Sequence, residues 1–331
     1  MIVNICCSSS SGSTFFSNLM NRHPEIVCGD ELGLFSKPVI FDNYGHLKRW
    51  HFLIKRAGIS SQPYFQERSI LRNLDAYSLT QSQVWEFVLK SDKISELTDK
   101  LKAHVLTLTG KKVWAEKTPE NIFTIGRFLK VFPDSRVIHI VRDPRDVILS
   151  LMARGRSFGR AAEKWLTSVA AIQNYRGDPL VLEITYEDLI LEREKTLARV
   201  CSHLNVEFKI DFFATDAYKS KNIKKTLKFN AWRSEPTDDF SSKSIGKYKT
   251  SDVDFTDILS MSLTREFASV LSVEPLSLSE LASGYGYQLV GMHNAKQSHL
   301  SRSVTDKEQN IILNLLDVII EKNKYIQRVV Y

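Results

Sequence analysis

The first 31 residues limit the possible folds more than any other stretch. An apolar run, Ile2-Val3-Asn4-Ile5-Cys6-Cys7, feeds the small-residue turn Ser8-Ser9-Ser10-Ser11-Gly12-Ser13-Thr14, and a helical pattern follows from Phe15 to Arg22. A buried strand that passes through a glycine turn into a helix start gathers backbone N–H groups, hydroxyls and the positive end of a helix dipole. That combination is an anion cradle. It implies a phosphate or sulfate ligand.

A nucleoside-triphosphate loop needs a Lys just before its final Ser/Thr to neutralise the β- and γ-phosphates. Here Gly12 runs straight into Ser13-Thr14, and no Lys lies between Ser8 and Thr14. A second strand–turn–helix unit follows much later. Val137 to Val141 reads as a buried strand, Arg142 stands at its C-terminal end, and Asp143-Pro144 suits the start of a helix over 144–154. Asp146 complements that helix's dipole. Ser150 lies eight residues beyond Arg142, and Arg154 four beyond Ser150. This spacing predicts Ser150 and Arg154 on one helix face, with Arg142 at the strand end where ligands of open α/β sheets collect. Together they suit one phosphate.

Apolar runs over 2–7, 112–116, 136–141 and 179–184 alternate with helical patterns over 14–22, 119–131, 144–154, 158–175 and 187–203. The alternation predicts an α/β fold, a three-layer parallel sheet with helices on both faces. At 331 residues and 43% hydrophobic, one domain over 1–290 is expected, with a mostly helical insertion over about 47–108. The irregular stretch from Trp50 to Tyr77 suits an acceptor pocket or lid. A C-terminal helical extension, 291–331, carries Ile311, Ile312, Leu315, Leu316, Ile319, Ile320 and Ile326 at helical spacing. Its stripe packs on its own domain or makes a homodimer contact.

The ordered motifs resemble those of sulfotransferases that use 3′-phosphoadenosine 5′-phosphosulfate (PAPS). The likeness is greatest to the branch containing tyrosylprotein sulfotransferases and many bacterial enzymes. Ser11-Gly12-Ser13-Thr14 matches the loop that binds the 5′-phosphosulfate, and Arg142 with Ser150 matches the pair that binds the 3′-phosphate. Arg22-His23-Pro24-Glu25, Cys28-Gly29-Asp30-Glu31, Lys117-Thr118-Pro119 and Tyr186-Glu187-Asp188-Leu189 match in order, and Gly246-Lys247-Tyr248-Lys249 weakly.

The resemblance implies a P-loop-like sulfotransferase fold, with PAPS as co-substrate and no metal. It implies Glu31 as base and Lys117 as the cation at the bridging oxygen. Ser10, Ser11, Gly12, Ser13, Thr14 and Phe15 would form the phosphosulfate cradle. Arg142 and Ser150 would serve the 3′-phosphate, with Arg154 added by its spacing, and Tyr186 the adenine. Ser234, Lys247 and Lys249 belong to a covering loop over about 219–249, which begins with the basic run Lys219 to Lys228. One position departs from the pattern. Ser10 stands where the branch usually has Arg or Lys, which removes a fixed charge from the transferring group. Lys117 and the loop amides are expected to compensate. A non-catalytic PAPS-binding protein and a P-loop phosphotransferase are the alternatives.

His23 is expected to contact carbonyls at a helix end, and His139 and Trp165 to lie in the core. The net charge of +7 suits a polyanionic ligand, and no nucleic-acid module is visible. The four cysteines show no metal spacing and read as reduced thiols. With no charged leader and no apolar run of membrane length, a cytoplasmic enzyme without a membrane partner is expected. Its acceptor would be a hydroxyl or amine of a small molecule or carbohydrate.

Overall fold

Five parallel strands form one sheet in the order β2-β3-β1-β4-β5. They are β1 (Ile2–Cys7), β2 (Ile26–Cys28), β3 (Val113–Lys117), β4 (Arg136–Val141) and β5 (Val181–Thr185). They belong to a computed structural model that describes residues 1–45, 47–49, 71, 73–214 and 242–289. The chain divides into two compact units, Met1–Arg142 with Tyr175–Ser242, and Asp143–Asn174 with Lys243–Tyr331. The sheet lies in the first. The longer helices among the described residues are α1 (Ser13–Arg22), α2 (Gln81–Leu89), α3 (Ile94–Thr109), α4 (Pro144–Met152), α5 (Phe158–Ala171) and α6 (Arg193–His203).

The parallel sheet is the one expected, and burial on both faces explains the unbroken apolar runs. Every residue of β1 is buried. On one face Val3, Ile5, Cys7, Ala115, Ile138 and Ile140 pack against Phe16, Leu19 and Met20 of α1 and Leu197 and Val200 of α6. On the other face Trp114 meets Tyr77 edge-on at 6.4 Å, and the Tyr77 carbonyl faces His104 of α3 at 3.0 Å. There Asn121 donates to Asn4 Oδ1 at 3.0 Å. His139 is fully buried, as expected, and reaches Glu183 of the neighbouring β5 at 3.0 Å.

The end of α1 is polar yet buried, because its side chains hold the short strand β2. Asn21 accepts the Cys28 amide at 2.7 Å. Lys111 donates to the carbonyls of Asn21, His23 and Ile26 at 2.8, 2.9 and 2.6 Å, closing the helix's open end. His23 faces the Glu207 carbonyl through Nε2 at 2.8 Å and accepts the Glu25 amide at Nδ1, so the neutral ring with Nε2–H fits. Burial holds its pKa below the usual histidine value. A three-residue strand leaves no alternation to read, so β2 is not legible in the sequence. It is nonetheless the strand that carries the chain towards Glu31.

Other boundaries also shift. The helix expected over 119–131 is a 3-10 turn, Pro119–Thr124, followed by an α-helix, Ile125–Val131. The helix expected over 158–175 closes at Ala171, and that over 187–203 is two helices, Tyr186–Leu191 and α6. All four cysteines are buried free thiols. Burial pushes Cys7 and Cys28 up to about 12. Among the described residues no helix is long and apolar enough to cross a membrane.

In the second unit, Asp143 caps α4 by accepting the Arg145 amide at 2.9 Å, and it also holds the Arg145 guanidinium at 2.9 and 2.6 Å. Arg145 in turn lies 3.6 Å over the Tyr248 ring. Asp146 accepts the amides of Gly246 and Tyr248 at 2.7 and 3.2 Å, docking the turn Lys247–Thr250 on the first turn of α4. The expected helix over 144–154 stops early. Gly155 takes φ +84, and the Arg156 amide returns to the Leu151 carbonyl at 3.1 Å, a Schellman closure. Arg154 therefore sits exposed in the closing turn, four residues beyond Ser150. Ser150 remains half-buried on α4, Lys247 and Lys249 are exposed, and Trp165 is fully buried. Ser234, the run Lys219 to Lys228, most of Trp50 to Tyr77 and the C-terminal helix lie outside the described residues.

Candidate active site

The chain leaves β1 towards β2 on one side of the sheet and leaves β4 towards β5 on the other. Such a divergence opens a crevice at the strands' C-terminal ends, where α/β sheets bind ligands. The turn Ser8 to Gly12 and Arg142 flank it. The Ser11 amide donates to the Ser8 carbonyl at 3.2 Å, Ser10 takes φ +71, and Gly12 takes φ +91 at the N-cap of α1. Its N-cap, Gly12, has no side chain to cap that helix start. The amides of a first helical turn have no partner within the helix, so an uncapped start suits an anion.

The Tyr186 ring closes over the turn. A Cβ on Gly12 would lie 2.7 Å from Tyr186 Cε2 and nearer still to Cδ2, so only glycine fits beneath the ring. Phe15 meets Tyr186 edge-on at 6.3 Å, and the Arg142 guanidinium lies 4.7 Å over the ring. Arg142 Nη1 also donates to the Ser10 carbonyl at 3.1 Å. The hydroxyls of Ser8, Ser10 and Ser11 are buried and have no hydrogen-bond partner among the described residues. Buried hydroxyls are nearly always satisfied. Orphaned donors clustered in one turn fit a ligand rich in acceptor oxygens, such as a phosphosulfate.

Beside the turn stands an ion pair. Lys117, the last residue of β3, donates to Glu31 Oε1 at 2.9 Å. The Lys117 side chain is 4% exposed and that of Glu31 28%, so the carboxylate is the member open to a ligand. Cys7 links the pair to the turn. Lys117 pairs in register with Ile5 of β1, the strand that runs into the turn, and Ser13, Lys117 and Glu31 all bear on the Cys7 thiol. An acceptor-only carboxylate, a buried ammonium and an anion cradle together are equipment for moving a proton and a negatively charged group.

A model described as the Sulfotransferase family matches residues 3–209. The chain belongs to the sulfotransferase family. Among solved structures it is similar to the sulfotransferase domain of the Synechococcus PCC 7002 olefin synthase. The two share 19% identity over 82% of this chain and 93% of that one, with a TM-score of 0.55. The sulfotransferase domain from the curacin biosynthetic pathway is similar at 18% identity, 87% and 98% coverage and a TM-score of 0.55. These likenesses show a shared fold. A search of curated proteins gave no match.

The first unit of this sulfotransferase thus brings together Ser10, Gly12, Phe15, Arg142 and Tyr186, with the Glu31–Lys117 pair at the end of the strand next to β1. The Glu31 segment is held by residues that no motif singles out. Asn73 donates to the Glu31 carbonyl at 2.8 Å, and the Tyr77 hydroxyl to the Asp30 carbonyl at 2.6 Å. Glu116, buried at 0% exposure, accepts the amides of Leu32 and Gly33. One signal was available for Glu116. Alternation along β3 turns it inward on the face opposite Lys117, and a carboxylate is placed there only with partners.

Proposed function

We propose that this enzyme transfers the sulfuryl group of PAPS to a hydroxyl or amine of a small-molecule or carbohydrate acceptor in the cytoplasm. The Glu31–Lys117 pair beside an uncapped, hydroxyl-lined turn is the observation that carries this reading. The turn from Ser10 to Phe15 holds the phosphosulfate through amides and hydroxyls. Glu31 takes the proton of the acceptor as its oxygen or nitrogen attacks sulfur in line. The sulfur–oxygen bond to the phosphate breaks, and the electron pair goes to the bridging oxygen, where Lys117 stabilises it. The products are the sulfated acceptor and 3′-phosphoadenosine 5′-phosphate (PAP), and Glu31 returns its proton to water. No metal enters this account.

Ser10 replaces the usual loop cation, and Lys117 with the loop amides supplies the missing stabilisation. Ser10 also supports a second reading, a protein that binds PAPS without transferring its sulfate; turnover on any acceptor decides between them. Arg142 and Tyr186 hold the 3′-phosphate and the adenine. Ser150, Ser234, Lys247 and Lys249 remain in the proposed cofactor set through the motif resemblance alone, and Arg154 through its spacing from Ser150.

The test is Arg142→Ala. Loss of a charge-assisted, bidentate phosphate contact is worth about 3 kcal/mol, or roughly 100-fold in affinity. Calorimetry should show that loss for PAP. Adenosine 5′-phosphosulfate, which lacks the 3′-phosphate, should weaken by less than about threefold. Equal losses would mean that Arg142 shapes the turn through Ser10 and holds no 3′-phosphate.

A further inference from the structure

Resting on Glu31 as the base, we propose that Glu116 is its positioning residue, acting through the backbone of residues 32 and 33. Glu116 and Lys117 are consecutive on β3, so their side chains leave opposite faces of the strand. Lys117 takes the Glu31 carboxylate at 2.9 Å. Glu116 Oε1 takes the amides of the next two residues, Leu32 and Gly33, at 3.1 Å each. One strand end therefore fixes both the side chain of the base and the backbone that follows it.

The rest of the network serves the same loop. Thr118 donates its hydroxyl to Glu116 Oε1 at 2.6 Å and accepts the Gly33 amide at 3.0 Å. Asn121 donates to Glu116 Oε2. Asn73 holds the Glu31 carbonyl from the other side, while Leu32 and Leu34 are buried without remainder. Glu31 thus sits on a peptide pinned before and after it, with only its carboxylate partly open. A fully buried carboxylate is a costly way to hold a loop. An apolar residue would fill the space, but it would leave the Leu32 amide without this acceptor. The charge is placed where displacement of the base by about 1 Å costs roughly 100-fold in rate.

Glu116→Met removes the acceptors at similar length and should lower kcat about 100-fold, with PAP affinity and PAPS KM within about threefold of wild type. Glu116→Gln keeps a carbonyl for the two amides. Asn121 can flip its amide to meet the new NH2, with Asn4 flipping to offer its own unpartnered NH2 in place of Oδ1, so this variant should recover most of the rate. Thr118→Val, which removes only the hydroxyl, should show the same kcat-selective loss at about tenfold. It serves as the readout if the Met variant does not fold. In a Glu31→Gln background the Glu116→Met loss should shrink to under about threefold, because both act through one group. A full loss in that background, an equal fall in PAP affinity, or an unchanged kcat in Glu116→Met or Thr118→Val would overturn the proposal. If Glu31→Gln alone loses no activity, the base assignment itself has failed, a result distinct from these.

Discussion

Glu31→Gln should lower kcat by about 10²–10⁴-fold, the range a general base supplies, while PAP affinity stays within about threefold of wild type. The substitution keeps the shape of the side chain and one oxygen for Lys117, but it removes the ability to accept the acceptor's proton. Only 28% of the Glu31 side chain is exposed, and its partner Lys117 is almost wholly buried. Removing the carboxylate charge therefore strands a cation, and some loss of stability is expected with the loss of rate. PAP binding separates the two effects, since an unfolded enzyme binds no nucleotide. Steady-state kinetics with PAPS and titration with PAP check the prediction. Equal loss of rate and affinity would show that Glu31 holds the nucleotide and is not the base.

Gly12→Ala should weaken PAP at least 100-fold and lower Tm. The backbone at φ +91 costs an L-residue about 1–2 kcal/mol, and the new methyl would occupy space filled by the Tyr186 ring. That ring cannot retreat cheaply. It is 7% exposed, it carries the Arg142 guanidinium at 4.7 Å, and Phe15 meets it edge-on. Expelling it would disturb both the turn and Arg142, which also donates to Ser10. Each kcal/mol lost should appear as roughly 1–2 °C in Tm for a chain of 331 residues. Thermal unfolding and calorimetry of the variant give both numbers. Wild-type PAP binding in Gly12→Ala would mean that Tyr186 is free to leave the turn.

The parts of the site that the sequence reveals are those built by one continuous segment. The strand, turn and uncapped helix start from Ile2 to Arg22 are legible because apolar burial, glycine and helix periodicity follow one another along the chain. Arg142 is legible at the end of a buried run for the same reason. The Glu31–Lys117 contact joins residues 86 apart, and no periodicity reports it; only the motif resemblance suggested the two as a functional set. Glu116 is harder still, since the amides it accepts are carried by any residue at positions 32 and 33. Arg154 falls in the turn that closes α4, because Gly155 takes the left-handed conformation that ends the helix. Strand β2 was missed because its polar supports, Asn21, His23 and Lys111, come from outside it.

The most direct test of the central claim is calorimetric titration of the enzyme with PAP against ADP, without metal. The uncapped turn, its orphaned Ser8, Ser10 and Ser11 hydroxyls and Arg142 at the strand end predict selective binding of the 3′-phosphorylated nucleotide in the micromolar range. No binding, or a preference for ADP, would contradict the assignment of PAPS as the sulfuryl donor.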